Sequence, residues 1–312
     1  MSILAEKIAK NVRYYGRAWV RALRGGWWDL RHYPAQRPVF IVGCSRAGTT
    51  LVYKTFSLAD ELGSLQRETH DFWNELHPLA EQHWQSHALE ARHACSRDRD
   101  AVTRYFYAYT GRRRFVDKNN QNGLCVPYLY ALYPDACFIF VKRSPADNIN
   151  SLIEGWGKPE EFATWSEPLP AKVAIEGGRY TRWCFFLPPG WRDYVDASVA
   201  EVSAFQYRTM NEAILAAREG VPEAQWTEVF YEDLVRDPVA GFRRAFAAVD
   251  VAFTPALERH CAQVLGEPYN AFSAIRLDKW RDGRNRRRIE GVLPAVAEVA
   301  RAMGYPDEAL SA

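Results

Sequence analysis

The segment Arg37-Pro38-Val39-Phe40-Ile41-Val42 runs directly into Gly43-Cys44-Ser45-Arg46-Ala47-Gly48-Thr49-Thr50. A short apolar run, a glycine turn and a helical pattern over 49–62 follow one another without a gap. Such a run reads as a buried strand, and a strand feeding a helix through a glycine loop belongs to a parallel, helix-covered sheet. The loop also leaves backbone N–H groups at a helix N-terminus, a ready place for an anion. Compared with the phosphate loop G-x-x-x-x-G-K-[ST], Gly43, Gly48 and Thr50 stand in place. Thr49 replaces the lysine, and a cation appears three places earlier as Arg46.

Further strands are expected at 114–116, 136–141 and 226–231, and helices at 127–133, 145–155 and 197–218. Residues 70–109 look mostly helical, and the chain beyond 231 helical with a basic segment at 279–288. The fold class that follows is α/β: a P-loop type parallel sheet flanked by helices, with an N-terminal amphipathic helix. Residues 1–36 form the basic amphipathic helix and 37–312 the P-loop domain. Within the latter, 155–195 break the rhythm with many Pro and Gly and four Trp, and read as an insertion on the acceptor side.

The third strand-like run ends Phe140-Val141-Lys142-Arg143, a cation where an ATPase would place a magnesium-holding Asp. With Thr49 in the lysine place, this points away from ATP and metal. Arg143 is followed by Ser144-Pro145-Ala146-Asp147, and Ser151 lies eight residues on, about two helical turns. Arg143 and Ser151 suit a second phosphate, and Asp147 suits a helix cap or a partner for Arg143.

These features together resemble a family. Strand-G-x-x-R-x-G-T-T-helix, then strand-R-x-P-x-D-x-x-x-S, is similar to sulfotransferases that use 3′-phosphoadenosine 5′-phosphosulfate (PAPS), of the bacterial glycan or tyrosyl type. Val229-Phe230-Tyr231-Glu232-Asp233-Leu234 with Asp237-Pro238, Asp278-Lys279-Trp280-Arg281 and Phe115-Val116-Asp117-Lys118-Asn119 extend the likeness over 38–305. The resemblance implies that Gly48, Thr49 and Thr50 bind the 5′-phosphosulfate, with Arg46 on the sulfuryl group. It implies Arg143 and Ser151 for the 3′-phosphate, Tyr231 and Lys279 for the nucleotide, and Lys118 beside Arg46 in neutralising charge. Ala47 stands where most members have Ser, and Lys118-Asn119-Asn120 where many have "KTP".

Transfer to a hydroxyl needs a base. Glu68, in Arg67-Glu68-Thr69-His70-Asp71, is the first candidate and His70 the second. In the insertion, Trp156, Trp165, Trp183, Phe185, Phe186 and Trp191 suit stacking on sugar rings or an apolar chain, or else close a small core. Arg179 and Arg182 suit an anionic group on the acceptor. The expected product is adenosine 3′,5′-bisphosphate, and the expected acceptor a hydroxyl of a glycan or lipid-linked molecule. No metal is expected. His83 and His87 have helical i, i+4 spacing, but no third zinc ligand is evident. A P-loop phosphotransferase using ATP and a non-catalytic, membrane-associated nucleotide-binding module remain the alternatives.

Charge refines this picture. Forty basic and 38 acidic residues leave +2, which argues for no nucleic-acid partner. Only 8 of the 40 are lysine, a bias that suits oxyanion recognition. The first 32 residues hold seven Lys/Arg (Lys7, Lys10, Arg13, Arg17, Arg21, Arg24, Arg31) against Glu6 and Asp29, so the other 280 sum to −3. Ile3, Ile8, Val12, Tyr15, Trp19, Leu23 and Trp27 recur at helical spacing. Residues 3–30 therefore suit an anionic membrane surface or docking on their own domain. No signal peptide or membrane-spanning segment is read, and six scattered cysteines without C-x-x-C spacing suit a reducing compartment. The expected location is the cytoplasm, at the inner membrane surface if the helix binds it.

Overall fold

The computed structural model describes residues 3–266 and 275–310, with side chains from Tyr15 to Glu308. The side chains of Ile3, Lys7, Ile8, Lys10, Val12 and Arg13 lie outside the described residues, as does the 267–274 part of the helical stretch expected beyond 231. Helix α1 spans Ile3–Arg31. It is followed by β1 (Val39–Val42), α2 (Thr49–Phe56), α3 (His70–Leu76), α4 (Ser96–Thr110), β2 (Val116–Lys118) and α5 (Val126–Leu132). Then come β3 (Cys137–Lys142), α6 (Pro145–Trp156), the short α7 (Pro159–Phe162) and α8 (Ile175–Gly178), α9 (Val199–Arg218) and β4 (Trp226–Phe230). Helices α10 (Tyr231–Arg236), α11 (Pro238–Ala248), α12 (Pro255–Gln263), α13 (Arg286–Val292) and α14 (Ala297–Ala302) complete the described elements.

The four strands form one parallel sheet in the order β2-β1-β3-β4. Both faces are covered, so the central strands β1 and β3 are apolar along nearly their whole length, and alternate side chains feed two cores. Phe40, Val42, Phe138 and Phe140 pack with Phe106, Tyr128 and Tyr207 from α4, α5 and α9. Val39, Ile41, Ile139 and Val141 pack with Phe56, Phe246 and Leu257 from α2, α11 and α12. The chain leaves β1 toward β2 on one side and later takes up β3 on the other. The crevice at the carboxyl ends of β1 and β3 is therefore the topological switch point, where ligands bind in open α/β sheets.

Several boundaries differ from the sequence reading. Helix α2 stops at Phe56 rather than at 62, where Ser57 turns its hydroxyl back onto the Tyr53 carbonyl at 2.7 Å. Residues 77–95 hold turns instead of helix, apart from the 3-10 turn Ala91–His93. His83 and Trp84 take φ of 52° and 56°, so the two histidines at 83 and 87 do not share a helix face. Strand β2 sits two residues later than expected, and Tyr231 opens a helix instead of closing β4.

Helix α1 is docked along one side. Arg104 grips Asp29 with two bonds of 2.7 and 2.8 Å, Arg21 donates to the Tyr109 hydroxyl at 2.6 Å, and Trp28 is buried with its indole N–H on the Tyr33 carbonyl. Its other side stays open: Tyr15, Trp19, Leu23 and Leu30 are 63–77% exposed, with Val20 and Trp27 beside them.

Candidate active site

The loop after β1 is shaped by two glycines. At Gly43 a Cβ would come within 2.6 Å of the Val141 carbonyl, so the strand pair closes only over a bare backbone. Gly48 has φ 101° and stands before α2, and no side chain caps the helix. Its N-terminal N–H groups are open to an anion, with the dipole in the favourable sense. Arg46, at φ 68°, places its guanidinium Nε 3.3 Å from the Ser151 hydroxyl and its charge over the Phe162 ring. Arg143 leaves the end of β3, donates to the Arg46 carbonyl at 2.7 Å and lies 4.6 Å from the Tyr231 ring centre. Burial and then the neighbouring Arg143 charge pull the Arg46 guanidinium down to about 10. Two cations held together inside the protein are what a multiply charged anion repays.

One cavity of about 110 Å³ gathers these groups. Arg46, Gly48, Thr49, Thr50, Glu68, Lys118, Arg143, Ser151, Tyr231 and Lys279 all line it, contributed by the carboxyl ends of all four strands and by α2 and α6. Ten of the eleven residues expected at the site therefore meet in one crevice. Its charged lining among the described residues is Arg46, Lys118, Arg143 and Lys279 against Glu68 alone. Buried polar atoms without partners, Ser45 Oγ and Arg143 Nε, add to the demand for an anion. Lys142, by contrast, turns away from the crevice, onto Glu228 and the Met303 carbonyl.

Glu68 and Lys118 form an ion pair of 2.6 Å at the cavity wall. The turn that carries Glu68 is fixed from beneath by Asp117, a fully buried carboxylate. Asp117 accepts from the Thr69 hydroxyl at 2.7 Å, the Trp73 indole at 3.1 Å and the Asn122 amide at 3.1 Å. Burial raises its pKa, against the pull of those hydrogen bonds. The sequence reading missed this residue, although an acid inside the apolar run Phe115-Val116-Asp117 was its visible trace. His70 opens α3 and pairs with Asp71 at 3.4 Å. It lines an adjoining cavity and not the crevice itself.

Other expectations change. Asp147 neither caps α6 nor binds Arg143 directly. Its carboxylate takes the Asp278 backbone N–H at 2.8 Å and so ties the Lys279–Trp280 segment to α6. Trp156, Trp183, Phe186 and Trp191 are fully buried and, instead of closing a separate small core, join the one that packs on Phe40 and Phe138, where each indole N–H finds an internal oxygen. Of the named aromatics, Trp165 and Phe185 line the cavity beside the crevice. Arg182 donates to the Ala163 carbonyl, with its Nε buried without a partner, and Arg179 lies in a separate cleft with Arg284 and Arg288. Phe185, expected on the acceptor side, joins the crevice, and so do Asn120 after β2 and Phe162 of the insertion, which the sequence reading gave no role.

Residues 38–168 match the model of the sulfotransferase family. The sulfotransferase STF9 from Mycobacterium avium is similar over 90% of this chain and 80% of its own, with a TM-score of 0.55 and 17% identity. A sulfotransferase from Alicyclobacillus acidocaldarius is similar over 88% of this chain and 99% of its own, with a TM-score of 0.48 and 17% identity. The first of these shares the fold. No curated protein sequence matches the chain.

Proposed function

We propose that this chain is a PAPS-dependent sulfotransferase acting on a hydroxyl of a glycan or lipid-linked acceptor. The carrying observation is the crevice itself: four cations, an uncapped helix N-terminus and one carboxylate, with no acid at the end of β3 to hold magnesium. The residues fit the donor, because its two phosphate sites have separate counterparts. Gly48, Thr49 and Thr50 offer backbone N–H groups and hydroxyls at the start of α2. Arg143, with an unpartnered Nε, and Ser151 offer a second anion site across the loop. Tyr231 supports Arg143 through its ring, and Lys279 lines the nucleotide side.

When bound, PAPS supplies a sulfuryl group joined to a phosphate that is a good leaving group. Arg46 and Lys118 stand ready to neutralise charge that builds there, the term usually largest in such reactions. Glu68 takes the acceptor proton, and His70, one cavity away, is the second candidate for that role. No metal is assigned a role. Residues 37–312 act as one domain, with 155–195 supplying acceptor-side walls at Phe162, Trp165 and Phe185.

The open face of α1 supports the membrane part of the reading. Trp19, Leu23, Trp27 and Leu30 are exposed, with the Arg31 guanidinium over the Trp27 ring and Arg17 also exposed, so apolar and cationic groups are presented together. That pairing suits an anionic bilayer surface, on the cytoplasmic side. No helix among the described residues is long and apolar enough to cross a membrane.

The test is transfer itself. With PAPS and a panel of hydroxyl acceptors, mass spectrometry should find products heavier by one sulfuryl group, with adenosine 3′,5′-bisphosphate released in equal amount. Arg46→Ala should lower turnover by about 10²–10³, as loss of one charge-stabilising group does. Nucleotide release that requires magnesium and ATP would contradict the reading.

A further inference from the structure

Beside the crevice lies a second cavity of about 310 Å³, and Glu68, Asn120, Phe162 and Phe185 belong to both. It is at the small end of ligand-binding cavities. Rings of Phe162, Trp165 and Phe185 line it together with Asn74, His87 and Gln121. Two of its polar atoms are buried without partners: His87 Nε2 and Asn74 Oδ1.

His87 is fixed in one tautomer. Its Nδ1 accepts the Leu187 backbone N–H at 2.7 Å, and its own backbone N–H donates to the Leu187 carbonyl at 2.8 Å. With Nδ1 occupied as an acceptor, the neutral ring carries its hydrogen on Nε2. The ring is 5% exposed, and burial pushes its pKa down to about 3, so it is neutral at ordinary pH. It meets the Trp165 ring edge-on with centroids 4.8 Å apart. The Cys125 thiol donates to the His87 carbonyl, which leaves Nε2 untouched. A buried donor and a buried acceptor left without partners each cost stability. An apolar guest would leave both unpaired, whereas one rich in hydroxyls satisfies them while its ring stacks on the aromatic walls. The charged groups lining the cavity are Glu68 and Glu161, with His70 the remaining titratable side chain besides His87. An anionic guest would set its charge against the two carboxylates.

We propose that this second cavity is the acceptor site, that it selects a neutral, hydroxyl-rich ring, and that His87 is the specificity-determining residue that reads one of its oxygens. The inference rests on the sulfotransferase reading, because Glu68 then stands between the donor crevice and the acceptor. His87 touches no reacting atom in this scheme. It sets which guest is held and in what orientation.

The full chain labelled with ¹⁵N-histidine, saturated with adenosine 3′,5′-bisphosphate, provides the test. The probes are methyl β-glucoside, its anionic counterpart methyl β-glucuronide, and cyclohexanol. The His87 signal should show a neutral ring protonated at Nε2, and the glucoside should shift it saturably. The glucuronide and cyclohexanol should bind at least about tenfold more weakly, a difference of 1.4 kcal/mol. In His87→Asn the amide oxygen can still accept from Leu187, so the melting temperature and bisphosphate affinity should hold while glucoside affinity falls about tenfold. An unresponsive His87 signal, or a preference for cyclohexanol or the glucuronide, overturns the inference even if His87→Asn proves unstable. Equal glucoside binding by the folded variant also overturns it. Failure of the bisphosphate to bind the unaltered protein would instead overturn the donor reading, so the two failures are separable.

Discussion

Gly48 shows how one backbone position governs the crevice. A Cβ there would come 2.3 Å from the Tyr231 ring, at a φ of 101° that other residues adopt only at a cost. Tyr231 in turn lies 4.6 Å beneath the Arg143 guanidinium. Gly48→Ala must therefore move the ring, and with it the cation assigned to the 3′-phosphate. Calorimetry should show bisphosphate affinity reduced by at least about tenfold; an unchanged value would mean that the loop does not hold the nucleotide. Glu68 is a different case. It pairs with Lys118 at 2.6 Å and borders both cavities. Glu68→Ala should lower kcat by about 10²–10⁴, the usual contribution of a general base, with bisphosphate affinity nearly unchanged. His70→Ala should leave kcat close to that of the parent chain, and the reverse pattern would transfer the role to His70. Arg46, Gly48, Thr49, Thr50, Arg143 and Ser151 were legible in the sequence because loop, strand-end and helix-start chemistry is local, whereas Lys118, Tyr231 and Lys279 came only through the family resemblance. Asp117 and His87 were not legible, since their roles depend on partners 48 and 100 positions away.

At the scale of elements, α1 carries two unlike faces. One is tied to α4 and its C-terminal turn through Asp29–Arg104 and Arg21–Tyr109, and the other exposes Trp19, Leu23, Trp27 and Leu30. The sequence offered docking and membrane binding as alternatives, and the docked face leaves the second open rather than excluding it. Sedimentation with vesicles containing anionic lipid should carry the protein down at low salt and less at high salt. Trp19→Ala with Leu23→Ala should weaken that binding by about tenfold or more, since burying one large apolar side chain contributes about 1.5–3 kcal/mol. Equal association with neutral vesicles, or none with anionic ones, would contradict the membrane reading. Among the other elements, β1 and β3 were legible as apolar runs, whereas β2 and β4, which carry Asp117, Lys118 and Glu228, were placed less closely. The stretch 77–95 was not, because left-handed residues at His83 and Trp84 break a pattern that composition alone reads as helix. The insertion was legible as an interruption, but which of its tryptophans are buried depends on the carbonyls that meet their indole N–H groups.

For the whole molecule, the sheet order β2-β1-β3-β4 brings the carboxyl ends of all four strands to one rim. Gly43 follows β1, Lys118 ends β2, Arg143 follows β3 and Tyr231 follows β4. The chain carries only +2 overall, yet four cations and one acid line that rim's crevice among the described residues. The positive field is thus local, built by topology rather than by composition. This is the basis for the proposed donor, whose phosphates arginine and lysine would meet in place of magnesium. The most direct test is a thermal-shift titration with adenosine 3′,5′-bisphosphate, against ATP with and without magnesium. A ligand at a hundred times its Kd stabilises the folded state by about 2.7 kcal/mol, enough for a clear rise in Tm. The account predicts that rise with the bisphosphate in the absence of metal, and its loss in Arg143→Ala. A larger rise with magnesium and ATP, or none with the bisphosphate, would contradict it.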